Sequence, residues 1–205
     1  MVKNTSKVVP VAIVLTLKVP SEITVSVGKG NTVTLKGPKG TLEKSFKNYR
    51  LNVTASGNNL TVEGSPNNRK SMVLVKSTVA HIRNMIEGLI YGYRIELKVV
   101  YSHFPMSVTV EKGKFTIKNF LGEKFPRHAK IIGAATKVEA KGQEVTVTGT
   151  NKEDVGQTAT NIEQATKVRK KDIRRFQDGI YIVARNNMQE RKGPVVEIIR
   201  GKDVQ

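Results

Sequence analysis

Alternation of apolar and polar positions dominates the first third of the chain. Residues 32–36 (TVTLK), 51–55 (LNVTA) and 60–64 (LTVEG) place a β-branched or apolar side chain at every second position. This period of two is typical of a half-buried β-strand. Turn-forming segments, 37–40 (GPKG) and 57–59 (GNN), separate the strands. The pattern therefore predicts a small antiparallel sheet built from hairpins.

After Gly64 the period of the pattern changes from two to between three and four. Pro66, with Ser65 before it as a cap, fits the first turn of a helix. Gly88 and Gly92 are stop signals further along the chain. Between Pro66 and Gly92, apolar residues recur at steps of three and four and predict one apolar face of a long helix: Met72, Val75, Val79, Ile82, Ile86 and Leu89.

The same order of elements occurs a second time. LTVEG resembles VTVTG, 85 residues later, and VTLKGPKG (33–40) resembles FTIKNFLG (115–122). Thr150 and Glu153 then have the spacing of a capping box. A thinner apolar stripe follows and predicts a less deeply buried helix: Val155, Thr158, Ile162 and Ala165.

This duplication predicts an α+β fold with two tandem similar domains, each a small antiparallel β-sheet packed against one long helix. A single β-barrel with added helices is the competing architecture, and two helical patterns at equivalent places argue against it. Residues 96–105 (ELKVVYSHFP) read as a strand leading into a connector. We therefore predict an N-terminal domain at 1–102, a C-terminal domain at 103–185 and a charged tail at 186–205, which becomes ordered against a partner.

The charge of the chain points to a polyanionic partner. Its 205 residues include 35 Lys and Arg against 17 Asp and Glu, a formal net charge of +18. Such a field attracts nucleic acid, which we favour over an acidic lipid surface. The most apolar early run, 8–17, is too short to span a bilayer and has no cleavage site of a secretory signal. We expect a cytosolic or nuclear protein without membrane attachment.

Residue patterns typical of catalysis are missing. The chain has no cysteine, which excludes disulfides, thiol catalysis and thiolate metal sites. His81, His103 and His128 stand apart without a carboxylate cluster, and the glycine-rich turns lack the spacing of phosphate-binding loops. We predict a protein that is not an enzyme and has no catalytic residue, metal, cofactor or small-molecule substrate.

The first of two cation clusters occupies residues 122–130 (GEKFPRHAK), where Gly122 and Pro126 mark a loop. A loop with cations and an aromatic ring can hold phosphates and stack on an exposed base. The alternative, which has equal weight, is a solvated hairpin tip in which Phe125 points into the core. Four residues of this segment are predicted to bind RNA: Lys124, Arg127, His128 and Lys130.

The second cluster lies at the predicted end of the second helix. Cations at a helix C-terminus compensate the helix dipole. That effect accounts for two or three of the six cations between Lys167 and Arg175, and not for all of them. A nuclear-import address has the same composition. Phe176, Asp178 and Gly179 are predicted to form a structural turn that leads into a strand. The predicted RNA-binding residues here are Lys167, Arg169, Lys170, Lys171, Arg174, Arg175 and Arg185.

A family resemblance rests on this second segment, at Gln164, Val168, Lys171, Arg174, Phe176, 178–182 (DGIYI) and Arg185. These positions resemble the signature of the universal large-subunit ribosomal protein L6 family. Segments 103–105 (HFP) and 119–124 (NFLGEK) are similar to its archaeal and eukaryotic branch, whose eukaryotic member is called ribosomal protein L9. With the duplication, the resemblance covers nearly the whole chain.

The resemblance implies two similar α+β domains in the large ribosomal subunit. It implies rRNA binding, mainly by the second domain, near the sarcin–ricin loop and the stalk base, where translational GTPases dock. Neighbouring large-subunit proteins would be further partners, on cytoplasmic ribosomes assembled in the nucleolus if the source is eukaryotic. The alternative is an RNA-binding accessory subunit of an RNA-processing enzyme. A DNA-binding or membrane-surface module is less favoured, because no recognition-helix motif or basic amphipathic face is present.

Overall fold

The structure, a computed structural model, describes residues 12–102, 104–111, 113–169, 171–188 and 197–200. It divides into two compact units. One contains the residues up to Glu87 together with strand Glu197–Arg200, and the other begins at Gly88. The predicted α+β class with two similar domains is confirmed.

The first unit contains two antiparallel sheets and a long helix. Its strands are β1 (Ile13–Lys18), β2 (Thr24–Gly28), β3 (Thr32–Gly37), β4 (Gly40–Ser45), β5 (Leu51–Ser56), β6 (Asn59–Gly64) and β14 (Glu197–Arg200). The sheet orders are β14-β1-β6-β5 and β2-β3-β4. Asn31 joins the two sheets, because its side chain donates to the Leu51 carbonyl (2.6 Å) and accepts the Val53 N–H (3.2 Å).

Helix α1 (Arg69–Ile90) buries the predicted apolar face, except for Met72, which is partly exposed. The helix begins three residues after Pro66, because the side chain of Asn68, and not that of Ser65, accepts the Ser71 N–H (2.8 Å). It ends where Gly92 adopts a left-handed φ of +71° and donates its N–H to the Gly88 carbonyl (3.0 Å).

The second unit repeats this arrangement. Its strands are β7 (Tyr93–Val100), β8 (Ser107–Glu111), β9 (Lys114–Lys118), β10 (Arg127–Lys130), β11 (Lys137–Lys141), β12 (Glu144–Gly149) and β13 (Gly179–Asn187). The sheet orders are β13-β7-β12-β11 and β8-β9-β10, position for position those of the first unit. Helix α2 (Lys152–Ala165) buries Val155, Thr158, Ala159 and Ile162. Its cap is Asn151, whose side chain accepts the Glu153 N–H, and not the predicted Thr150.

The equivalent glycines of the two copies show why the repeat retained them. A Cβ on Gly64 would lie 2.6 Å from Cγ2 of Val75, and one on Gly149 would lie 2.7 Å from Cγ2 of Val155. In both units the helix therefore packs against the end of its strand at a distance that only glycine allows. The repeat predicted from sequence corresponds to a repeated packing contact.

The division between the units differs from the predicted one near residue 103. The strand predicted within 96–105 is present as β7, but it belongs to the second sheet, between β12 and β13, and not to the N-terminal domain predicted at 1–102. The predicted tail at 186–205 also contains structure. Strand β13 continues to Asn187, and β14 pairs with β1, opposing Arg200 to Leu15 and Glu197 to Lys18.

Candidate nucleic-acid interface

The first cation cluster sits on a loop with a left-handed backbone. Asn119, Leu121 and Gly122 have φ values of 62°, 50° and 75°, and Phe120 between them is buried. The Asn119 side chain donates to the Pro105 carbonyl (3.0 Å) and anchors the start of the loop. Phe125 is 84% exposed, so it is not part of the core. The loop thus presents an aromatic ring to solvent.

Arg127 is the residue that fastens this loop. Its guanidinium lies 4.3 Å from the ring centroid of Phe120 and donates to both carboxylate oxygens of Glu123, at 2.7 and 2.6 Å. Nη1 also donates to the carbonyls of Ala165 (2.8 Å), the last residue of α2, and of Lys167 (3.4 Å). Because these contacts use its Nε, Nη1 and Nη2 atoms, Arg127 acts as a positioning residue.

The second cation cluster lies on a loop and not on the end of a helix, since α2 stops at Ala165. Asp172 shapes this loop: its side chain accepts the Arg174 N–H (3.0 Å), and its carbonyl accepts the Phe176 N–H (3.0 Å). The Lys171 ammonium lies 4.8 Å from the centroid of the Phe176 ring. Within the described residues, no carboxylate pairs with the exposed cations Lys167, Arg169, Lys171, Arg174 or Arg175. Lys170 lies outside the described residues.

The two clusters, about 40 residues apart in sequence, meet in space. Arg127 bonds from one loop to the carbonyl of Lys167 in the other. Hydrogen bonds from Arg127 hold the pKa of Glu123 below its ordinary value of 4.5. Burial opposes this shift, and the positive charges of Arg127 and Lys171 add to it. The two cation-bearing loops therefore lie side by side in the second unit.

Strand β10 carries two further candidates on the face opposite to that of Arg127, because successive side chains of a strand alternate between faces. His128 and Lys130 share its exposed face, and the His128 ring nitrogen Nδ1 lies 3.1 Å from Oγ1 of Thr116 on β9. Lys130 stands directly opposite Lys114, a residue that sequence reasoning did not select. Like charges at opposed positions of a sheet repel each other, and Glu111, which opposes Lys114 on β8, offsets part of this repulsion. We name the exposed cations of the two loops the joined basic surface: Lys124, Lys167, Arg169, Lys171, Arg174 and Arg175.

Arg185 does not belong to the joined basic surface. In the register of β13 and β7, Arg185 opposes Ile95, whereas Gly179 opposes Val100. The six-residue separation along a strand corresponds to about 20 Å. Arg185 instead borders a separate cleft with Arg94 and Lys152.

Asp178 and Gly179 do not form the predicted turn, because they lead directly into strand β13. Gly179 begins β13 and does not adopt a positive φ, and a Cβ there would lie 3.1 Å from the Tyr181 ring. Asp178 is buried, and its Oδ1 accepts the Ser102 N–H (2.8 Å) and hydroxyl (3.1 Å). This carboxylate ties the end of the basic loop to the residue two positions beyond β7.

A cleft of about 550 Å³ opens beside the basic loop. Phe176, Tyr181 and Ile173 supply apolar walls, and the amides of Gln164 and Gln177 lie at its border. Sequence reasoning used Phe176 only as part of a turn. Its ring in fact lines a hollow next to the exposed cations, where a planar group would be held between apolar side chains.

The described part of the chain offers neither a metal site nor a membrane-spanning helix. No group of three or more His, Asp or Glu side chains there is placed to hold a metal ion. Neither of the described helices is both long and apolar enough to cross a membrane.

Comparison with known proteins agrees with the repeat, because one family model matches each half of the chain. The family model described as "Ribosomal protein L6" matches residues 19–92 and 104–179. The large ribosomal subunit protein uL6 of Methanobrevibacter smithii is 45% identical over 178 residues, which cover 87% of this chain and 99% of that protein. The uL6 proteins of Methanocella arvoryzae and Aeropyrum pernix are each 46% identical, over 82% and 85% of this chain and 95% and 96% of their own lengths.

Proposed function

This chain belongs to the ribosomal protein L6 family, and from that premise we propose that it is a structural protein of the large ribosomal subunit that binds large-subunit rRNA through the joined basic surface. Membership of a ribosomal protein family agrees with the prediction that the chain is not an enzyme. The binding site on the RNA lies near the sarcin–ricin loop and the stalk base. There the protein supports the region in which translational GTPases dock.

The observation that carries the proposal is the meeting of the two cation clusters. Lys167, Lys171, Arg174 and Arg175 are exposed and have no carboxylate partner within the described ranges. Their mutual repulsion disfavours the free protein and is relieved when phosphates lie among them. A surface held by Arg127 and Asp178 presents these charges in a fixed arrangement. Contacts of this kind set the position of a protein on RNA and do not read its sequence.

Recognition of a particular RNA site then falls to the groups that are not cations. Phe125 offers an exposed ring for stacking, and the cleft beside Phe176 and Tyr181 accepts a planar group with amides at its border. Unpaired bases in RNA loops are recognised by stacking and edge contacts of this type. The protein works in cytoplasmic ribosomes, and in a eukaryotic cell its assembly into the subunit takes place in the nucleolus.

The proposal is tested by binding to an rRNA fragment that contains the sarcin–ricin stem-loop and the stalk-base segment. Duplex DNA of equal length serves as competitor, and affinity is measured against salt. We expect preferred binding to the rRNA fragment. A triple change, Lys171→Gln, Arg174→Gln and Arg175→Gln, should reduce the slope of log affinity against log salt by about 2 to 3, since each phosphate contact contributes about 0.7 to 0.9.

A matched control removes the same charge elsewhere: Lys18→Gln, Lys29→Gln and Lys36→Gln, all exposed residues of the first unit. This control should leave the slope nearly unchanged. Equal affinity for rRNA and DNA would contradict the specific claim. If the native protein sediments with an RNA-processing enzyme and not with large subunits, the accessory-subunit alternative is correct. Loss of the folded state in the triple variant would mean that these cations serve the fold.

A further inference from the structure

A second surface of cations and an aromatic ring lies on the first unit. It is assembled from the loop before β5 and the first turns of α1, so no single stretch of sequence contains it. Between residues 44 and 86 the chain has seven Lys and Arg and one carboxylate, Glu63. We name the following set the Tyr49 patch: Tyr49, Arg50, Arg69, Lys70 and Val73. These side chains border a shallow hollow of about 670 Å³.

Tyr49 is 87% exposed, although no packing requirement of the fold places it there. The Arg50 guanidinium lies 5.0 Å from the centroid of its ring. The backbone beneath is fixed, because the Arg50 N–H donates to the Asn48 side chain (3.0 Å) and the Arg50 carbonyl accepts the Ser65 N–H (3.0 Å). Nε of Arg50 is buried and has no hydrogen-bond partner among the described residues. The patch thus combines an exposed aromatic ring with a guanidinium group held beside it on a fixed backbone.

Arg69 and Lys70 occupy the first turn of α1, which contains no acidic residue. Cations at a helix N-terminus are disfavoured by the helix dipole. Neither residue forms an ion pair with any other described residue. On the next turn Val73 is 60% exposed. These cations do not stabilise the helix that carries them, so an external anion is the partner that would offset their cost.

We propose that the Tyr49 patch binds an unpaired stretch of RNA, with a base stacked on Tyr49 and phosphates on Arg50, Arg69 and Lys70. The inference rests on the proposed function only in taking RNA as the partner. It places a second RNA contact on a unit in which the sequence predicted none. An acidic peptide would satisfy the cations equally. It would not explain why an exposed aromatic ring borders the same hollow as the cations, whereas stacking plus phosphate contact is the usual mode for single strands.

The test uses the absence of tryptophan from the chain. Tyr49→Trp creates a single fluorescent reporter on the patch, and Phe125→Trp creates one on the loop of the second unit. Both parent rings are almost fully exposed, so neither change disturbs a core. Each full-length variant is titrated with a 12-nucleotide oligo(U) and with a 12-residue poly-glutamate peptide. Stacking of uracil on the indole quenches its fluorescence, whereas glutamate has no aromatic ring with which to stack.

We expect oligo(U) to quench the Tyr49→Trp reporter. Arg69→Gln with Lys70→Gln in that background should weaken the affinity on the order of 25-fold at 0.1 M salt, because two phosphate contacts each contribute about 0.7 to the salt slope. Lys29→Gln with Lys36→Gln, on the β2–β3 hairpin, removes the same charge and should change affinity less than about twofold. The Arg69 and Lys70 changes relieve an unfavourable helix-dipole contact, so this variant should remain folded.

The two reporters separate failure of this inference from failure of the proposed function. Quenching of the Phe125→Trp reporter alone would overturn the inference and leave the function standing. Quenching of the Tyr49→Trp reporter alone would support the inference and remove the RNA contact proposed for the second unit. Poly-glutamate binding that matches or exceeds that of oligo(U) at the Tyr49 patch would overturn the inference in favour of an acidic protein partner.

Discussion

Replacing Arg127 with methionine should lower the free energy of unfolding by about 2 kcal/mol. Methionine keeps much of the apolar stem and removes four interactions, of which the 3.4 Å contact with the Lys167 carbonyl is the longest. The cation–π contact with Phe120 contributes about 0.5–1 kcal/mol. The forked pair with Glu123 contributes about 0.2–1 kcal/mol, because that carboxylate is 40% exposed. The hydrogen bond to the Ala165 carbonyl contributes about 1 kcal/mol.

Urea denaturation measures this change, and Arg174→Met is the matched control. Arg174 is exposed and unpaired among the described residues, so its replacement should alter stability by less than about 0.5 kcal/mol. The two variants should also differ in RNA binding. Arg174→Met should lower the salt slope by roughly 0.7 to 0.9. Arg127→Met should weaken binding with little change in slope, since it misplaces cations without removing a phosphate contact. A stability loss below about 0.5 kcal/mol for Arg127→Met would refute the positioning role.

The pH dependence of stability gives a second reading of the same contact. Arg127 lowers the pKa of Glu123 below 4.5 in the folded protein, so the unfolded chain binds this proton more readily. The contribution of Glu123 is therefore fully present above pH 4.5 and is lost as pH falls through its folded-state pKa. In Arg127→Met this part of the acid dependence should disappear. An unchanged acid profile in that variant would show that other groups control the pKa of Glu123.

Two further predictions concern packing and a buried carboxylate. Gly149→Ala should destabilise the protein by about 1–3 kcal/mol, because the new Cβ would lie 2.7 Å from Val155. Gly156→Ala is the control: a Cβ there meets open space on α2, so the change should stabilise the protein by about 0.5–1 kcal/mol. Thermal melts that give both changes the same sign would disprove the close packing at Gly149. Asp178→Ala should lower the free energy of unfolding by about 1–3 kcal/mol, because the Ser102 N–H loses its acceptor. Ser102→Ala keeps that N–H and loses only the hydroxyl contact, so it should lower the free energy by about 1 kcal/mol or less. Equal losses in urea denaturation would show that the hydroxyl contact matters and the backbone contact does not.

Sequence patterns predicted the parts of this fold that depend on local periodicity. The period-two strands and the apolar face of α1 follow from side-chain alternation, and the duplication gave the second unit the same order of elements. Pro66 and Thr150 were wrong as helix-start signals, because Asn68 and Asn151 are better placed to accept the first free N–H groups. Which of several neighbouring polar residues caps a helix depends on backbone geometry that the sequence does not display.

Features that depend on contacts between distant segments could not be predicted from the sequence. Strand β7 shows the same alternation whichever sheet it joins, so its place between β12 and β13 was not evident. The basic loop read as a helix end because Lys and Arg are favourable there, and Asp172 was not recognised as its turn former. The Tyr49 patch combines residues some 20 positions apart, which no local pattern connects.

The pairing of β14 with β1 also sets an order of events during synthesis. All the strands of the second unit leave the translating ribosome before Glu197–Arg200 does. Until then one edge of β1 has no neighbour, and an open strand edge is a template for pairing with other chains. A nascent chain is therefore exposed to mispairing on its earliest sheet until nearly 200 residues have been made. A truncated chain that lacks β14 therefore retains an unpaired edge on β1, and a chaperone or protease can detect that edge.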